Sequence, residues 1–186
     1  PGVHFHGLWL KITSEKIELL VLKQNDFWHE SVDLSMVCHE PITIKEISDP
    51  AFSPQSDRIL NPSCPFYKAL EWKRFVKTEY EIHCLQKAND IAIQGHKKAA
   101  ALFENGASEL EIHHAYLQTI QHKECDLPYG NIIAFNEKSA ILHAQKYRKN
   151  HVKPQSFLMD AGASFMSYGA DITRTHVHTS FKNSLF

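Results

Sequence analysis

Two helix-start signals, Thr78-Glu79-Tyr80-Glu81 and Ser108-Glu109-Leu110-Glu111, constrain the fold of this chain more than any other feature. Each puts a hydroxyl residue three positions before a glutamate, so the hydroxyl accepts from the third amide and the carboxylate reaches back to the cap. The first opens a long amphipathic stretch with Ile82, Leu85, Ala88, Ala92, Ala99 and Leu102 along one broad face, and Gly106 supplies its stop. The second opens a shorter helix whose buried side is Ile112, Ala115, Tyr116 and Ile120. FYKALEWKRFVK, 66–77, reads as a helix leading into the pair.

After the helices come short strand-like runs: NIIAF (131–135), AILHA (140–144), SFLMDAGA (156–163) and YGADITRTHVHT (168–179). Helices followed by antiparallel strands predict an α+β fold rather than a doubly wound parallel sheet. Near the amino end, LWLKIT (8–13) and KIELLVL (16–22) flank Ser14-Glu15 as a hairpin. Asn25 to Glu30 reads as helix or turn and Ile42 to Ile47 as a further strand. Residues 49–65 carry four prolines and three serines and read as loop or linker.

With 20 basic and 21 acidic residues, nothing in the charge favours nucleic acid or an anionic membrane as partner. Cys38, Cys64, Cys84 and Cys125 are scattered, with no C-x-x-C pair, and read as free, mostly buried thiols of a reducing compartment. No apolar run is long enough to cross a membrane and the first residues do not form a signal peptide, so a soluble cytoplasmic protein is expected. Among the 13 histidines, His83, His96 and His122 read as surface or packing residues on helices. His4-x-His6 and His176-x-His178 have strand spacing, but no acid or cysteine adjoins either pair.

FLMDAGASFMSYGADITRT, 157–175, holds two carboxylates, Asp160 and Asp171, among small and aromatic residues. A hairpin turning near Phe165-Met166 sets the two acids directly opposite each other on one face. Two like charges there repel, and the pair becomes favourable when a cation sits between them. A carboxylate dyad sharing one proton is the alternative, and nearby Arg174 counts against it.

The wording LMDAGASFMSYGADITRT resembles the first metal-ligand segment of the bacterial-type Xaa-Pro dipeptidases (prolidases), of the pita-bread metallopeptidase superfamily. KTEYEIHCLQKANDIAIQGHKKA, GASELEIHHAYL and DLPYGNIIAFNEKSAILHA carry the resemblance upstream, and the amino-terminal strand pair carries it loosely. It implies a partial creatinase-like amino-terminal α/β domain over 1–70 and the first part of a pita-bread domain over 71–186. It implies Asp160 and Asp171 as metal ligands, His143 as a catalytic and substrate-contacting histidine, and Tyr129 as a lining of the substrate pocket. Thr173 and Arg174 are implied to orient the acids. Two divalent ions, Mn foremost with Zn, Co or Fe as substitutes, a homodimer and cleavage of Xaa-Pro dipeptides follow from the same resemblance. Other family ligands, a histidine and two glutamates, fall beyond Phe186. A fragment, or a chain with segments omitted, is therefore expected, inactive as it stands. An aminopeptidase P acting on longer peptides and a non-catalytic pita-bread binding protein are the alternatives, and organophosphate hydrolysis is a side activity of related enzymes.

Overall fold

The computed structural model describes residues 8–23, 42–49, 52 and 65–182. The chain divides into two compact units, Pro1–Lys68 and Ala69–Phe186. Residues 25–30, most of 49–65, His4, His6, Cys38 and Cys64 lie outside the described residues.

In the first unit, β1 (Leu8–Ile12) pairs antiparallel with β2 (Ile17–Leu22), and β3 (Ile42–Ile47) lies parallel on the other side of β2. The hairpin link lacks glycine or asparagine. Thr13 replaces them: its hydroxyl accepts the N–H groups of Glu15 at 3.3 Å and Lys16 at 3.1 Å.

The second unit is built on α2 (Glu79–Glu104) and α3 (Glu109–Ile120), and α1 (Pro65–Phe75) spans the boundary before them. Both capping boxes form: Thr78 exchanges bonds with Glu81, and Ser108 with Glu111. Gly106, at φ 80°, turns the chain in the left-handed region that glycine enters without strain, and Ala107 N–H donates to the Leu102 carbonyl at 3.0 Å. The buried stripe of α2 is shifted from the expected face. Ala88, Ala92 and Ala99 are buried as expected, but Ile82 is exposed, and Cys84, Gly95, His96 and Phe103 complete the stripe. Close helix packing explains the shift, because a β-carbon on Gly95 would stand 2.3 Å from the Tyr116 ring of α3.

Against the helices lies an antiparallel sheet in the order β4 (Ile132–Phe135), β5 (Ser156–Asp160), β8 (Thr173–Val177). Phe103, Phe135 and Phe157 meet at its centre with ring centroids 5.1–5.4 Å apart. Each such fully buried ring contributes about 2–3 kcal/mol. A short antiparallel ribbon, β6 (Ser164–Phe165) and β7 (Tyr168–Gly169), continues beyond the sheet, followed by a helical turn, α4 (Thr179–Lys182).

AILHA is not a strand. Asn136, with φ 53°, turns the chain out of β4 into a 3-10 helix, Asn136–Ala140, and Leu142-His143 form a turn. Both edges of β5 are taken by β4 and β8, and the segment pairs with neither of those outer strands. Its course is set by Glu109, which is fully buried. That carboxylate accepts the N–H of Phe135 at 3.0 Å, the N–H of Arg148 at 2.7 Å and the Lys138 ammonium.

Candidate active site

The hairpin carrying the two aspartates forms, but its register differs from the expected one by two residues. Phe165 pairs with Tyr168, so Met166 and Ser167 make the turn, both at positive φ as a two-residue hairpin loop of the primed type needs. Asp160 therefore lies across from Thr173, not Asp171. A turn at Phe165-Met166 would lift Phe165 out of its ladder position, and that ring packs on the main core. A shift of two keeps the parity of a pleated strand, so both acids still belong to one face.

Tyr129 joins them. Its hydroxyl stands 2.7 Å from Asp160 Oδ1 and 3.0 Å from Asp171 Oδ1. Two glycines make this approach possible. A β-carbon on Gly162 or on Gly169 would meet the ring of Pro128 at 2.8 Å, so the Leu127–Gly130 segment settles onto the hairpin only because both positions are bare. Gly162 also admits the facing strand: its β-carbon would stand 1.9 Å from the Ala170 carbonyl oxygen.

A phenol has one proton and satisfies one carboxylate oxygen at a time. Burial, reinforced by both carboxylates, pushes the Tyr129 phenol far above its ordinary value of 10, so it is a neutral donor over the physiological range. Neither aspartate makes an ion pair with a lysine or arginine among the described residues, and no third histidine, cysteine or acid there joins them in a metal-sized cluster. Two hard oxygen donors short of positive charge suit a divalent cation and supply part of its coordination. They do not complete it.

The other expected residues divide. Thr173 flanks Asp160 on β8. Arg174 is exposed and its Nη1 donates to the Thr173 carbonyl at 2.7 Å rather than to a carboxylate. His143 is exposed in its turn, and among the described residues only its backbone carbonyl is engaged, by the Gln145 N–H. His176 stacks on Phe157, while His178 bonds Ser180 and the Glu104 carbonyl, so this pair is occupied with packing. Pro128 was not singled out from the sequence, whereas Gly162 and Gly169 read there as small residues leaving room beside the acids. The signal was present in Leu-Pro-Tyr-Gly beside a glycine-rich hairpin, but only the fold shows that they touch.

Residues 83–184 match metallopeptidase family M24. The chain belongs to that family. An Xaa-Pro dipeptidase of Pseudoalteromonas atlantica is 46% identical over 219 residues, covering 99% of this chain and 47% of its own length. One of Shewanella sediminis is 36% identical over 203 residues, covering 96% and 45%. The chain thus spans about half the length of the curated relatives it matches. Among solved structures, proline aminopeptidase P II from Yersinia pestis superposes with a TM-score of 0.53 at 26% identity, over 60% of this chain and 26% of that one. X-Pro aminopeptidase from Thermotoga maritima gives 0.51 at 27% identity, over 59% and 31%. The chain carries part of the pita-bread fold, as its motifs imply. Membership implies divalent metal ions. No helix among the described residues is long and apolar enough to cross a membrane.

Proposed function

We propose that the protein hydrolyses the peptide bond before proline in Xaa-Pro dipeptides, with Asp160 and Asp171 as metal ligands. The observation that carries this reading is the convergence of both carboxylates on the Tyr129 hydroxyl, in a family whose members hold metal. The dipeptidase names of the relatives favour dipeptides over the longer peptides of aminopeptidase P.

Asp160, fixed in its ladder, and Asp171 would hold two divalent ions, Mn foremost, together with further donors. When bound, such ions lower the pKa of a water to about 7 and polarise a carbonyl. That chemistry suits an amide without an N–H, as the bond to proline is. Tyr129 keeps its proton and holds the two carboxylates in register. Thr173 and Arg174 steady the strand beside Asp160, and His143 reaches the substrate from its exposed turn. A homodimer in the cytoplasm belongs to the same reading.

The test is metal content and hydrolysis of Gly-Pro and Leu-Pro by the full gene product. Bound Mn, Zn, Co or Fe is expected. Asp171→Asn should lower kcat/KM by more than about 100-fold, beyond the ~10–100-fold typical of an outer-shell partner. A metal-free protein that stays inert after Mn is added would sink the proposal.

A further inference from the structure

Among the buried polar side chains that the proposed centre does not explain, His96 lies nearest in its bonding to the aspartates. His96, on α2 directly after the glycine that receives Tyr116, is only 8% exposed. Its Nε2 lies 3.0 Å from the carbonyl oxygen of Ala161, the residue after Asp160. A carbonyl only accepts, so Nε2 carries the proton. Nδ1 is then the bare nitrogen, and it is buried without a partner. The Tyr116 ring stands edge-on to the imidazole at 5.8 Å. On the strand side, Ala161 N–H donates to the Ile172 carbonyl at 3.1 Å, so the residue beside Asp160 is held from two directions.

We infer that His96 is a positioning residue for the metal centre: its Nε2–H ties the Ala161 carbonyl to α2 and so fixes the place from which Asp160 projects. The inference rests on the dipeptidase reading above. A histidine whose only task was to fill space under the sheet would not need a protonated Nε2 aimed at that carbonyl. Leucine would fill the space as well. Burial holds the ring below its ordinary pKa of 6.5, which keeps it neutral with a single proton to give.

The experiment titrates Mn into the full gene product by calorimetry, for wild type, His96→Leu and His96→Gln, alongside Gly-Pro hydrolysis. The leucine variant should bind Mn about 10-fold more weakly, the lower end of what loss of an outer-shell partner costs. Glutamine, which retains an amide donor, should recover most of the affinity. Long-range nitrogen spectra of the wild-type ring should show the Nε2–H tautomer, a readout that holds even where the leucine variant fails to fold. An Nδ1–H tautomer, or a leucine variant with wild-type Mn affinity, overturns the inference while leaving the dipeptidase reading intact. A wild-type protein that binds no Mn overturns both.

Discussion

The molecule places carboxylates in two contrasting settings less than a domain apart. Glu109 is fully buried yet complete: two backbone N–H groups and the Lys138 ammonium satisfy its oxygens. Asp160 and Asp171 are half-buried and exposed, and between them they share one phenolic proton. A carboxylate that brings its own cation is a fastener; a pair that brings none is a receptor for one. That difference in provision, rather than burial or the count of acids, separates structural from functional acid in this fold.

The largest test of the comparison is Glu109→Ala. It leaves the Lys138 ammonium, itself 10% exposed, without its anion and frees two N–H groups. Breaking one side of a buried pair costs about 3–5 kcal/mol. Urea unfolding should show that loss, unchanged by added Mn. A loss below about 1 kcal/mol would mean the buried pair is no fastener, since that is what an exposed ion pair is worth.

Tyr129→Phe should act on the other side of the comparison and more gently. Losing a hydrogen bond to a charged group costs about 1.5–3 kcal/mol, and the partial exposure of this site puts the expected value at the low end. The alkaline limb of stability gives a second reading. Tyr129 is held far above 10, and burial pushes Tyr147 up to about 12. Below about pH 10 both folded and unfolded chains keep these protons. Above it the unfolded chain loses them first, so stability must fall as pH climbs from 10 towards 12. In Tyr129→Phe the fall should be shallower, measured by urea midpoints at pH 8, 10 and 11. Equal slopes would place the phenol in water rather than between the carboxylates.

Much of this was legible in the chain itself. Capping boxes declare their partners locally, three residues apart, and both formed where the letters placed them. The aspartate hairpin was readable because strand parity survives an error of two in the turn, so the shared face was recovered although the partner was not. AILHA failed for the opposite reason. Whether a short apolar run becomes a strand depends on distant contacts, and here buried Glu109 routes the chain through its bonds to Phe135, Lys138 and Arg148. His96 was set aside as a packing histidine because its partner, Ala161, is 65 residues away and contributes only a backbone carbonyl. Backbone acceptors leave no mark in a sequence.

The smallest expected effect is the most discriminating, because its sign depends on metal. Asp160 and Asp171 share a face without being directly opposed, so their repulsion lies toward the low end of the roughly 0.2–1 kcal/mol of a cross-strand pair, and the exposure of Asp171 screens it further. Asp171→Asn in metal-free protein should therefore be neutral or stabilising by up to about 0.5 kcal/mol, with the gain shrinking as salt is added. With Mn present the order should reverse. A ligand at 100 times its dissociation constant stabilises the state that binds it by about 2.7 kcal/mol, and the variant forfeits most of that. Paired urea titrations with and without Mn measure the crossing. Glu109 variants should show none, because nothing in that pocket is waiting for a cation. If wild type and Asp171→Asn keep the same order in both conditions, the two aspartates are ordinary surface acids and the contrast between fastener and receptor disappears.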